Sequence, residues 1–204
     1  MEFRMIYDNI LLISAARFEA KPSIEILRKN NIKYDYFEFG IGPIHAAKSA
    51  EKLKERAKGK NVIYLGSCGT FSDFREPYLA TVDQVHWMPT AERMGLAKYM
   101  LDLHEAIIVP QSNHFKLPKK TVLTTSSVSL DASINLDTYS NPDILIENME
   151  AYSIIGEVIE AASSIDVIFG ITNAVGPDGS KDWEKNFLEV ANMTARFILE
   201  NIHV

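Results

Sequence analysis

Four short stretches of this chain bring carboxylates, amides and glycines to points where chemistry can use them. In residues 14–22 (SAARFEAKP), Glu19 stands where an apolar run gives way to a helical pattern. A carboxylate there can serve as a general acid or base, or it can simply favour a helix N-terminus by its charge. In residues 66–74 (GSCGTFSDF), Gly66 and Gly69 flank Ser67. Such glycines let backbone N–H groups approach an anion or a sugar, and they equally build an ordinary tight turn. Residues 40–43 (GIGP) present the same choice ahead of a helix.

The third stretch, residues 146–158 (IENMEAYSIIGEV), sets Glu147, Asn148, Met149 and Glu150 before an apolar helical pattern. A carboxylate can accept from two neighbouring ribose hydroxyls at once, and a methionine can floor a sugar with adaptable apolar surface. The plainer alternative is an exposed acidic first turn with Met149 in the core. In the fourth, residues 170–186 (GITNAVGPDGSKDWEKN), Asn173 stands at the end of a buried strand pattern, an unusual place for an amide. It can donate and accept along the N7 and oxygen edge of a 6-oxopurine, or satisfy its own turn.

In this order and at this spacing, the four stretches resemble the purine nucleoside phosphorylase and nucleosidase superfamily, and futalosine hydrolases most closely. SAARFEA resembles the segment that carries the water-activating glutamate of nucleosidases, a role that falls on Glu19. NME matches the sugar-binding signature, which carries over to Met149 and Glu150, with Ser67 and Gly69 in a glycine-rich site segment. ITNAVGP followed by KDW is similar to the futalosine-hydrolase pattern, with Asn173 in place of the aspartate of adenine-specific nucleosidases and Trp183 after the loop.

The resemblance implies a nucleoside substrate, no cofactor, no metal and a homodimer or larger homo-oligomer. Two departures stand out. The stretch between Trp87 and Thr121 is short, and no aromatic residue stands near Val128 to Leu130, where the family's base wall falls.

Hydrolysis of an N-glycosidic bond builds positive charge on the ribose and negative charge on the leaving base, so help is needed at both ends. The expectation is that Glu19 activates water, Glu150 holds the sugar hydroxyls and Asn173 binds the purine. A phosphorylase is the alternative; phosphate needs cations, for which Arg17 is the nearby candidate, while Tyr64 stands where phosphate-using relatives place an arginine. A binding module without turnover is a third reading.

The elements that must position these residues alternate. Apolar β-branched runs at residues 9–15, 34–40, 61–67 and 166–172 read as buried strands, with further strands at 80–87, 105–109 and 121–126. Ile44, Ala47, Ala50, Leu53 and Ala57 predict a helix opened by Pro43. Phe187, Val190, Ala191, Ala195, Ile198 and Ile202 predict a closing helix capped by Ser180 or Asp182. The alternation predicts a three-layer α/β/α fold with a mixed, largely parallel sheet. At 204 residues one domain over 1–204 is expected.

Composition narrows the partners. A net charge of -6 spread along the chain disfavours nucleic acid. The apolar run at residues 10–16 is far below the roughly 20 residues of a membrane span. Cys68 is the single cysteine, which excludes an intrachain disulfide and fits the cytoplasm. The five histidines have no zinc-site spacing.

Overall fold

A parallel strand covered on both faces has to be apolar on both, and β1 (Ile10–Ser14) is buried at all five positions. Its side chains alternate: Ile10 and Leu12 enter one hydrophobic cluster, Leu11 and Ile13 the other. These clusters separate three layers in the computed structural model, which describes residues 9–97, 105–110, 115–134 and 141–202. Helices α1 (Arg17–Lys29) and α5 (Gly179–Asn201) cover one face through Ala20, Ile24, Leu27, Val190 and Ile198. Helices α2 (Pro43–Ala57) and α4 (Ala151–Ile159) cover the other through Ala46, Leu53, Ile154, Ile155 and Val158.

The remaining elements are β2 (Tyr34–Glu38), β3 (Asn61–Thr70), β4 (Tyr78–Trp87), the short α3 (Thr90–Arg93), β5 (Ile107–Ile108), β6 (Lys119–Thr124), β7 (Leu145–Asn148) and β8 (Ser164–Ala174). β2, β1, β3 and β8 run parallel, with β1 between β2 and β3. β8 then meets β4 antiparallel, β4 runs parallel to β6, and β6 to β7. β7 returns to pair antiparallel with the end of β3, at Gly69 and Thr70. The mixed sheet therefore closes a ring through β3, β8, β4, β6 and β7, a closure that the alternation of elements does not specify.

Several local expectations are corrected. β7 was not expected; its four residues follow no alternation because all four are buried, Glu147 and Asn148 included. The expected strand at 105–109 reduces to Ile107–Ile108. α2 buries Ala46, Ala50, Leu53 and Ala57, leaving Ile44 68% exposed and Ala47 outward, since helical periodicity turns positions 44 and 47 away from the face that 46, 50, 53 and 57 share. α5 begins after Asp178, and neither Ser180 nor Asp182 caps it. Residues 98–104 and 111–114 of the stretch before Thr121, along with His104, His114 and His203, lie outside the described residues. Among the described residues no helix is long and apolar enough to cross a membrane.

Candidate active site

The carboxyl ends of β1, β3 and β8 point the same way, so residues far apart in sequence converge on a pocket of about 350 Å³. Glu19 lies inside the first turn of α1 rather than before it. Ser67 donates to its Oε1 twice, from Oγ at 3.0 Å and from its backbone N–H at 3.2 Å. The N–H of Ala16 reaches Oε2 at 3.3 Å. Part of Glu19 remains accessible through the pocket, but removal from bulk water, reinforced by the nearby charge of Glu150, pushes its pKa up to about 7.

Residues 66–70, read from sequence as a glycine loop, instead finish strand β3, with a bulge between Cys68 and Gly69. Gly69 is needed for space: a Cβ there would sit 3.0 Å from Asn173 Nδ2 and 3.1 Å from Val175. Opposite, the Asn148 Oδ1 accepts from the N–H groups of Glu150 (2.9 Å) and Ala151 (2.8 Å), satisfying the first donors of α4. Asn148 Nδ2 donates to the Ser67 carbonyl at 3.3 Å, tying β7 to β3.

Glu150 is 4% exposed and accepts from the N–H of Gly42 at 2.7 Å; burial raises its pKa. GIGP thus reaches the site as an N–H donor, and Gly42 sits at φ +86°, in the left-handed region that favours glycine. Met149 is half-buried and lines the pocket.

Asn173 is 8% exposed on β8, where Oδ1 accepts from the Thr172 hydroxyl (2.7 Å) and Nδ2 donates to the Ala174 carbonyl (2.8 Å). One N–H and one lone pair of the amide are left over for a ligand. Trp183, on the second turn of α5, donates from Nε1 to Ser67 Oγ at 3.0 Å. Its ring stacks on Phe187 (centroids 4.9 Å, 16°) and meets the edge of Phe18 at 5.9 Å.

The structure thus brings together Glu19, Ser67, Gly69, Met149, Glu150 and Asn173, all of which line one pocket. Three other lining residues had been given no role by the sequence. Phe18 and Trp183 supply aromatic surface from α1 and α5, and Val128, also in the lining, is aliphatic. Trp183 was visible as a motif residue without a role; Phe18 was legible only as the neighbour of Glu19. Glu147 also lines the pocket, 8% exposed, and accepts from both the N–H (2.9 Å) and the hydroxyl of Ser129. Burial raises its pKa as well.

Beside Glu147 the buried Arg93 donates to the carbonyls of Asp131 and Ser133 and lies 5.0 Å over the ring of Phe71. Nothing in the local sequence marks that long-range link. Arg17 is exposed, and no lysine, arginine or histidine lines the pocket among the described residues.

No family model and no curated protein sequence matches the chain. Solved structures do. A mutant Helicobacter pylori 5'-methylthioadenosine/S-adenosyl homocysteine nucleosidase (MTAN), with 5'-methylthioadenosine in its active site, superposes with a TM-score of 0.72 at 14% identity, over 96% of this chain and 98% of that one. Futalosine hydrolase of the same organism gives 0.69 at 13%, over 93% and 95%. An MTAN of Chlamydia trachomatis gives 0.71 at 15%, over 96% of both chains. The chain has the fold of these nucleosidases, with its mixed sheet and flanking helices.

Proposed function

We propose that this chain, as a single domain, is a purine-nucleoside N-ribosyl hydrolase that cleaves the N-glycosidic bond of a 6-oxopurine nucleoside with water, in the manner of a futalosine hydrolase. The observation that carries this reading is the pairing of Glu19, a carboxylate whose pKa of about 7 suits proton transfer at neutral pH, with Glu150 in one pocket free of lining cations among the described residues. The fold shared with nucleosidases supports it.

Glu19 takes a proton from a water molecule whose oxygen forms a bond to the anomeric carbon. The bond from that carbon to the purine nitrogen breaks, and its electron pair leaves with the base. Glu150 accepts from the ribose hydroxyls over the floor made by Met149, and Asn173 donates to N7 of the departing purine. The purine anion then takes up a proton from solvent while Glu19 gives back the one it took, so the products are free base and ribose. Ser67 and the small space above Gly69 shape the water site. A homodimer and a cytoplasmic setting belong to the same proposal.

The test is incubation with a nucleoside panel in phosphate-free buffer and in buffer with phosphate, followed by identification of the sugar. Free ribose at equal rates in both buffers is expected. Strict phosphate dependence with ribose 1-phosphate as product means a phosphorylase, and tight binding without base release means a binding module.

A further inference from the structure

Trp183 is placed to act on Glu19 without touching it. An indole N–H can only donate, and a serine hydroxyl has one proton. Because Trp183 Nε1 donates to Ser67 Oγ at 3.0 Å, the Ser67 proton is left for Glu19 Oε1, also at 3.0 Å. Oε1 receives the Ser67 N–H as well, whereas Oε2 has only the longer contact from Ala16. The indole cannot drift from this geometry easily, since Phe187 stacks on one side and Phe18 meets it edge-on. Without the indole donor, the hydroxyl could turn its proton elsewhere and present a lone pair to the carboxylate.

We propose that Trp183 is a positioning residue: it pins the Ser67 hydroxyl as a donor to Glu19 Oε1 and so reserves Oε2 as the oxygen that takes the proton from the nucleophile. This rests on reading Glu19 as the base. The chain of bonds joins α5, β3 and α1, and each link polarises the next in the same direction. Other ionisable groups face Glu19 from the packed elements: Glu150 at the start of α4, Tyr64 and Cys68 on β3, and Tyr36 on β2, with Glu184 on α5 lining the same pocket. They stay unchanged in the variants below.

The test follows the Glu19 carboxyl by NMR in ¹³C-labelled protein, assigned by its loss in Glu19→Gln, beside kcat and KM as functions of pH. Trp183→Phe keeps the ring and removes the donor. It is expected to raise the Glu19 midpoint by about half a unit and to move the acid limb of kcat with it, since losing a donor to a carboxylate favours the protonated form. KM should change little. Ser67→Ala is expected to raise the midpoint by about one unit or more. Adding Trp183→Phe to Ser67→Ala is expected to shift it no further.

A measurement on the unaltered ring guards against a poorly folded variant. The Trp183 indole proton resonance should titrate with a midpoint near that of Glu19 in the wild-type protein and lose that inflection in Ser67→Ala. An unshifted midpoint in folded Trp183→Phe, an equal shift in the Ser67→Ala background, or an indole resonance blind to Glu19 overturns the proposal. An active Glu19→Gln enzyme, by contrast, overturns the reading of Glu19 as base while leaving the NMR coupling intact.

Discussion

A glutamate that titrates near pH 7 is costly to the fold in its charged form and useful to the reaction in that same form. Glu19 must be deprotonated to accept a proton, so kcat should rise with pH through about 7. Stability runs the other way. Its folded pKa lies above the unfolded value of 4.5, so the contribution is fully present below pH 4.5 and is lost as pH rises to about 7. Glu19→Gln should therefore lose at least about 100-fold in turnover, yet at pH 8 gain roughly 2 kcal/mol in denaturant unfolding, a gain that shrinks towards pH 4.5. A variant as active as the wild type, or one equally stabilised at every pH, contradicts this account. At Asn173 the amide has one N–H left for a base but no acidic proton to deliver, so inosine-type nucleosides should be cleaved faster than adenosine-type ones. Asn173→Asp should narrow that ratio; a panel in which adenosine leads from the start rules it out. Glu19, Glu150 and Asn173 were legible because short motifs set them where strand or helix patterns begin or end. Glu147 was not, because its partners Ser129 and Arg93 come from elsewhere in the chain and leave no local pattern.

Between these residues and the fold stand a few close contacts between elements. Gly170 lies on β8 under α5, where an added Cβ would come within 1.6 Å of Val190 Cγ1. The methyl of Gly170→Ala must push α5 off the sheet, an overpacking that costs about 2–3 kcal/mol. For a chain of this size that lowers Tm by about 5–10 °C in a thermal melt. Because α5 also carries Trp183, turnover should fall with it. Trimming the opposing side chain, as in Gly170→Ala with Val190→Ala, should restore part of both; no recovery means the contact is not the cause. The hydrophobic stripe of α5 was readable from its period, as were β1, β3 and β8 from their apolar runs. The buried face of α2 was misjudged because its alanines give periodicity little contrast with Ile44 nearby. β7 escaped because a four-residue strand buried at every position, half of it polar site residues, Glu147 and Asn148, carries no strand-like alternation.

Over the whole molecule, charge and topology each set a limit. Four glutamates, Glu19, Glu147, Glu150 and Glu184, line the pocket of a chain with net charge -6, without a cation in the lining among the described residues. A phosphorylated substrate meets like charge there, which costs several kcal/mol. Nucleoside monophosphates should accordingly be cleaved at least about 100-fold less efficiently than the parent nucleosides, as kcat/KM measured on matched pairs; equal efficiency contradicts the reading of the pocket. The three-layer class followed from alternation alone, but closure of the sheet into a ring did not, since strand order depends on long-range pairing. That pairing has a consequence in time. β8 lies between β3 and β4, yet its Ser164 is 103 residues along the chain from its partner Asn61. At ribosomal speeds of about 5–20 residues per second, β3 waits roughly 5–20 s with one edge open. Glu19 and Ser67 emerge well before the strand and helix that bring Asn173 and Trp183 to them. From the completion of β3 until β8 is made, the nascent chain therefore carries an unpaired apolar edge, the kind of surface that chaperones hold and that aggregation exploits.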